Sequence, residues 1–392
     1  MSLSKPPPPE ESYEGELVGG KYLVGNLVGC GGMGTVWAGR HVNLGTVVAI
    51  KFIRPQFAER NDARRRFEIE ARAAASVKSV HAVQVYDFGM TDAGLPYIVM
   101  EFLEGESLAE TVQRVGPIAP HEVAKIISQA SRALSKAHKA GIVHRDLKPD
   151  NVFLATNVEN AESDLPYTVK LVDFGIAKIV DAPEGQKGMS GPTQAGSVIG
   201  TPNFMSPEQL TVGGSPDALT DVWSLGATVF SAMIGRIPFE GEVLGDIVLK
   251  VCTAPIPVPS SLNSGLPAGF DAWFARACNR DRAKRFQTIE ELSESLLRVC
   301  GGGPSGIETA TLSEDRVQYE LKPRMTGEEL EALARQPVHG MSARSALLAG
   351  IIVGIALMVG VLGFLAWRES TSDAAPASSS SPPSSSAPAP RK

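Results

Sequence analysis

Four stretches hold the side chains best suited to chemistry. The first is glycine-rich, Gly29-Cys30-Gly31-Gly32-Met33-Gly34-Thr35-Val36, with an apolar run before it and the strand-like TVWAGRHV around and after its end. A dinucleotide-binding GxGxxG opens a helix, so continuation as a strand disfavours that reading. A strand–glycine loop–strand hairpin suits a flap over a triphosphate, where missing side chains let backbone N–H groups approach phosphate oxygens. An ordinary glycine-rich hairpin would read the same way. The second stretch is Val48-Ala49-Ile50-Lys51, a charge ending an apolar strand. Such a lysine either snorkels to water or needs a carboxylate partner. Glu70 is the better candidate, because it shares a helical face with Phe67, Ala71 and Ala74; Glu68 is spaced with Arg64 and Arg72 instead. The third is Val143-His144-Arg145-Asp146-Leu147-Lys148-Pro149-Asp150-Asn151, and the fourth is Asp173-Phe174-Gly175 after the run VKLV.

The elements that must position these groups fall into two kinds. From Tyr22 the chain gives short β-rich runs bounded by glycine, KYLVGNLVG, GTVWAGRHV and TVVAIKFI. A helix is predicted over about Asp62–Ser76, rich in Arg, Glu and Ala. The runs HAVQVYDFGM and LPYIVMEFL flank a TDAG turn. After Glu106 helices dominate, including one with a proline start at Pro120 and a Gly141 stop. This predicts a small β-rich lobe followed by a larger α-rich lobe, over the 277 residues from Tyr22 to Arg298. Thirty-seven basic against 43 acidic residues give a net charge of −6, which argues against nucleic acid as a partner. The four cysteines form no CxxC pair, so neither a zinc module nor a disulfide framework is expected; reduced thiols in a cytosol are.

Outside this region the sequence changes texture. Residues 1–20, with four consecutive prolines and no secretory h-region, predict a disordered leader. Residues 299–343 predict a polar juxtamembrane linker, with capping-box spacing at Thr326–Glu329 ahead of one short helix. Residues 346–367 form a 22-residue run without charge, amide or proline. As a helix it spans about 33 Å, enough for a hydrocarbon core of about 30 Å. Arg344 and Arg368 bracket it and Trp367 lies at an interfacial position. Gly350 and Gly354 give GxxxG spacing, which suits a homodimer through the transmembrane helix. The tail, 368–392, is rich in Ser, Pro and Ala and cannot build a core.

Taken in order, the glycine loop, Lys51, Glu70, the VHRDLKPDN run and DFG resemble the signature set of eukaryotic-like (Hanks-type) protein kinases. VHRDLKPDN, DFGIAK and GTPNFMSPEQ are similar to the bacterial Ser/Thr members. The resemblance covers about Tyr22–Arg298 and implies an α+β, bilobal protein-kinase fold: a β-rich N-lobe with one helix, and an α-rich C-lobe. It implies ATP as cofactor, with Val28, Gly29, Gly31 and Gly34 at the nucleotide, Val36 and Ala49 sandwiching adenine, and the backbone of Glu101 and Leu103 at its edge after the Met100 gatekeeper. Lys51 would hold phosphates and pair with Glu70. Asp146 would take or orient the acceptor hydroxyl proton, and Lys148 would offset γ-phosphoryl charge. Asn151 and Asp173 would hold Mg²⁺, or Mn²⁺, as hard oxygen ligands should. Lys148 and Thr201 point to Ser/Thr acceptors in protein substrates.

Further implications are structural or regulatory. Glu208 would pair with Arg285, and Asp221 would brace the catalytic loop, a role compatible with helix N-capping. Arg145 would meet a phosphorylated activation-loop residue, with Thr193 and Ser197 the favoured autophosphorylation sites and Thr201 facing substrate. Two departures stand out: Ser79-Val80-His81 replaces a common His-Pro-Asn, and a polar insertion lengthens the stretch between Asn151 and Asp173. Cys30 is a tolerated thiol or a redox sensor. ATP chemistry and free thiols imply a cytoplasmic kinase domain on a single-pass inner-membrane anchor, with the short tail outside. The rival readings are a catalytically silent pseudokinase scaffold, which would usually lack Lys51, Asp146 or Asp173, and a small-molecule phosphotransferase, which would lack the activation segment.

Overall fold

The computed structural model describes residues 12–32, 34–54, 61–156, 165–174, 202–211 and 213–301. The N-terminal part is built on β1 (Leu17–Val18), β2 (Tyr22–Gly31), β3 (Gly34–His41), β4 (Val47–Ile53), β5 (Val85–Met90) and β6 (Pro96–Glu101). They form one antiparallel sheet in the order β1-β2-β3-β4-β6-β5. Helix α1 (Asn61–Ser76) packs on it, burying Phe67, Ala71 and Ala74 along the face expected from their spacing.

Residues 12–20 differ from the expected disordered leader. Leu17 and Val18 pair with Leu23 and Tyr22, and the Gly15 N–H donates to Val24 O at 2.9 Å. Tyr13 stacks on Phe52 with ring centroids 4.3 Å apart and meets Trp37 edge-on. The cause is an apolar patch on the outer sheet face, formed by Val24, Trp37, Ile50, Phe52, Tyr97 and Val99, which this segment covers.

The second part begins with β7 (Gly105–Ser107), which joins β8 (Val152–Ala155) and β9 (Thr168–Leu171) in a three-stranded antiparallel sheet. The helices are α2 (Leu108–Val115), α3 (Pro120–Lys139), α4 (Pro207–Leu210), α5 (Ala218–Ile234), α6 (Leu244–Thr253), α7 (Phe270–Ala277) and α8 (Ile289–Val299). α3 starts at its proline and carries Lys136, His138 and Lys139 in its last turn, where cations suit the helix dipole. Every residue of α5 from Thr220 to Ile234 is buried, so this helix is the axis of the lobe. Asp217 caps it by accepting the Leu219 N–H, and Gly235 ends it in the left-handed region.

Among the described residues no helix is long and apolar enough to cross a membrane. The expected span 346–367 with Gly350 and Gly354, the linker 302–343, the tail 368–392, the insertion at 157–164 and the activation-loop residues Thr193, Ser197 and Thr201 all lie outside the described residues.

Candidate active site

The glycine-rich stretch is a true β-hairpin. Gly29 pairs with Val36, Cys30 with Thr35, and Gly31 with Gly34. Gly34 is the position where only glycine fits, because a Cβ there would lie 1.8 Å from Phe52 O. Arg54 donates to Gly31 O at 3.0 Å, tying the loop to the end of β4. Val36 faces Lys51 across the β3–β4 ladder, and Ala49 faces Met100 across β4–β6. Val28 packs with Ala38 and Phe102 in a small apolar cluster of its own. The expected nucleotide-contacting residues from β2, β3 and β4 therefore lie on adjoining strands next to the segment that starts at Glu101.

Lys51 is 8% exposed, so the snorkelling alternative fails. Its ammonium lies 2.6 Å from Asp173 Oδ1. The burial of this charge is thus matched by a carboxylate from the fourth motif. Glu70 lies on α1 as expected, and its side chain is outside the described residues.

The third motif is shaped by one buried carboxylate. Asp221, in the first turn of α5, accepts the His144 N–H and the Arg145 N–H, both at 2.8 Å, and lies 2.7 Å from His138 Nε2. Asp217 takes the capping role, which leaves both Asp221 oxygens for the loop. Arg145 has φ 63°, in the left-handed region that L side chains rarely adopt. Asp221 holds its N–H, and Gln209 Nε2 donates to its carbonyl at 2.8 Å. The peptide conformation is therefore held from both sides.

This turn presents Asp146. Lys148 Nζ lies 3.2 Å from Asp146 Oδ2, and Asn151 Nδ2 donates to Asp146 O at 2.7 Å and to Oδ2 at 3.2 Å. Burial would push the Lys148 ammonium pKa down, but Asp146, Asp150 and Asp173 outweigh it and hold it above its ordinary value. Lys148 is therefore a fixed cation. Burial keeps the His144 imidazole below its usual pKa against the pull of Asp221 and Asp146. A neutral ring matches its bonds: Nε2 donates to Val172 O at 3.1 Å, and Nδ1 accepts the Asp146 N–H at 3.4 Å. His144 also packs on Phe174, with ring centroids 4.7 Å apart. Asp173 has φ 60°, the only other positive φ among described non-glycine residues. Both left-handed residues flank the candidate chemistry, as strained positions tend to.

The metal donors expected from sequence fit the chemistry. Asn151 commits its amide nitrogen to Asp146, which leaves its oxygen for a cation. Among the described residues no group of three or more His, Cys, Asp or Glu forms a metal cage. A donor set of one amide oxygen and one carboxylate suits Mg²⁺ completed by phosphates and water.

The Glu208–Arg285 pair forms as expected, at 2.7 and 2.9 Å. Arg285 also donates to Leu219 O and Asn279 O and lies over the Trp223 ring. Burial raises the Glu208 pKa, but Arg285 outweighs it and leaves the carboxyl below its ordinary value. One pairing went unread in the sequence: Lys170 bonds Glu101 at 2.6 and 2.9 Å. The signal was present, because Lys170 sits inside the apolar run VKLV and a charge there needs a partner, as at Lys51.

A model of the protein kinase domain matches residues 22–295. The chain belongs to the protein kinase family. It is 36% identical to the serine/threonine-protein kinase PknB of Mycobacterium tuberculosis, over 81% of this chain and 49% of PknB. It is 32% identical to PrkC of Bacillus subtilis, over 82% of this chain and 47% of PrkC. The chain thus spans about half the length of these relatives. Among solved structures, the PknI kinase domain of Mycobacterium tuberculosis aligns with TM-score 0.57 and 26% identity, over 74% of this chain and 99% of that one. The bilobal kinase fold expected from the motifs is the fold observed.

Proposed function

We propose that this chain is an ATP-dependent Ser/Thr protein kinase. The observation that carries the reading is the joining of three separate motifs: Asp173 meets Lys51, and His144 packs on Phe174 beside Asp146, which Lys148 and Asn151 bond. In the reaction, an acceptor hydroxyl oxygen forms a bond to the γ-phosphorus of ATP, and the bond to the ADP oxygen breaks. Asp146 accepts the hydroxyl proton, and Lys148 balances charge on the group in transfer. Lys51 holds the α- and β-phosphates, and the β2–β3 hairpin supplies backbone N–H groups over them. Asn151 and Asp173 would hold Mg²⁺, which would neutralise phosphate charge. Val36 and Ala49 pack on the adenine, and the backbone of Glu101 and Leu103 reads its edge.

The finer reading adds location and control. Residues 346–367 anchor the protein in the inner membrane with the kinase domain in the cytoplasm, and Gly350 and Gly354 support a homodimer. Thr193 and Ser197 are the sites of autophosphorylation that Arg145 reads. The test is the full chain in liposomes with Mg·ATP, beside Asp146→Asn, with phosphates mapped by mass spectrometry. Phosphate on Thr193 or Ser197 in the wild type and none in Asp146→Asn is the expected result. A wild-type chain that incorporates none in the membrane would overturn the kinase reading.

A further inference from the structure

Lys170 is a charge in an apolar setting with no part in the chemistry above. It lies in β9 at 4% exposure, between Val169 and Leu171, which are fully buried. Its ammonium bonds both oxygens of Glu101, the last residue of β6. The Glu101 carboxylate also accepts the Gln84 N–H at 2.7 Å, and the Glu101 N–H donates to Gln84 O at 2.9 Å. One carboxylate therefore joins the adenine-side segment, the approach to β5, and β9.

β9 is stitched to the same region by its backbone. The Val83 N–H donates to Leu171 O and the Leu171 N–H to His81 O, both at 2.8 Å. His81 Nδ1 lies 3.0 Å from Val169 O. Asp173 follows β9 after Val172, and it is the residue that meets Lys51. β9 thus delivers the metal-side carboxylate, while Glu101 opens the adenine-side backbone.

A buried ion pair is weak evidence for stability, since an apolar pair of similar volume is often as stable. Its best-attested use is to fix one register among several. We propose that Lys170 and the Glu101 side chain are positioning residues for ATP: they hold the backbone at residues 101–103 in register with Asp173. The proposal rests on the kinase reading above. Both side chains act through the Glu101 backbone and through Asp173, not on the reacting atoms. A ligand that touches both ends of the cleft depends on this register; one that touches only the adenine end does not.

The experiment compares ATP with adenosine. The full chain in liposomes is measured as wild type, Lys170→Met, and Lys170→Met/Glu101→Leu, the last chosen to keep an apolar, foldable interior. Expected is a rise of about tenfold in KM and Kd for Mg·ATP in both variants, with adenosine affinity within about twofold of wild type, since misplacement penalises only the two-ended ligand. Lys170→Arg, which keeps the charge, restores most of the loss. Equal losses for ATP and adenosine would reduce the pair to a structural role and overturn the proposal, as would a double variant with wild-type ATP affinity. A wild-type chain that binds no ATP overturns this proposal and the kinase reading together; one that binds ATP beside an unaffected Lys170→Met overturns the positioning role alone.

Discussion

The substitution Asp221→Asn isolates the brace under the catalytic loop. Three donors converge on the Asp221 carboxylate: the His144 and Arg145 N–H groups at 2.8 Å and His138 Nε2 at 2.7 Å. An asparagine of the same shape offers one oxygen and an NH₂ group that cannot accept. At least one buried N–H loses its acceptor, at a cost of about 1–3 kcal/mol, and the NH₂ faces a second donor. Arg145 is already at φ 63°, so the peptide relaxes once it is released, and Asp146 moves with it. A displacement of about 1 Å at the catalytic group costs on the order of 100-fold in rate. The expected result is kcat for peptide phosphorylation reduced about 100-fold with KM for ATP changed far less, because the residues proposed to contact the nucleotide lie on other elements. Asp217→Asn is the control: Asn caps α5 about as well as Asp, and the variant gives up only the charge of a partly exposed ion pair with Arg282, so activity and stability stay near wild type. A folded Asp221→Asn variant with kcat within about threefold of wild type would refute the bracing argument, and so would an equal loss in Asp217→Asn.

Four other outcomes follow from the same geometry. Gly34→Ala drives a Cβ into Phe52 O, so the hairpin must open; KM for ATP rises, and a nucleotide-binding titration that shows wild-type affinity would count against the phosphate-flap role. Arg285→Met removes both short bonds to the buried Glu208 carboxylate and leaves it only Arg282 at 4.0 Å and the Thr220 hydroxyl at 3.2 Å, which costs up to about 3 kcal/mol in chemical denaturation. Glu208 has a lowered pKa in the fold, so its contribution is present above the unfolded carboxylate value and lost as pH falls through the folded one; Glu208→Gln flattens that acid limb of the stability curve. His144 is held neutral by burial, so only the unfolded chain gains its proton as pH falls below the usual value of 6.5; thermal unfolding shifts downward across that range, and His144→Asn removes this part of the slope.

What was legible in the sequence was legible because it is contiguous. His144 to Asn151 lie in one run, and Asp146, Lys148 and Asn151 meet through bonds spanning two to five residues. The hairpin from Gly29 to Val36 is likewise local, and its strand–turn–strand pattern separates it from a helix-opening glycine motif without reference to anything distant. The face of α1 that buries Phe67, Ala71 and Ala74 follows from helical periodicity alone. The Glu208–Arg285 pair spans 77 residues and was reached only through the family resemblance.

What was not legible depends on partners that the chain brings together late. Tyr13 sits in a polar, proline-flanked stretch whose composition predicts disorder; it is ordered because Trp37 and Phe52 form an apolar surface on the sheet. Asp221 reads as a possible helix N-cap, but Asp217 accepts the Leu219 N–H and takes that role, while Asp221 meets His144 and Arg145, 77 and 76 residues away. Lys170 and Lys51 pose the same physical problem, a cation inside an apolar strand. Lys51 closes the Val48–Lys51 motif, so its pairing was sought, although β4 runs on to Ile53; Lys170 belongs to no such motif, and its partner is 69 residues away. The demand for a partner was readable in both cases, while the identity of the partner was not. At Lys51 the helix face favoured Glu70, and the described contact is with Asp173. A buried charge therefore predicts that a counter-charge must arrive, and the topology decides which one. Here it brings Glu101 to Lys170 and Asp173 to Lys51, so the two pairs form three residues apart on the one stretch of chain from β9 to Asp173.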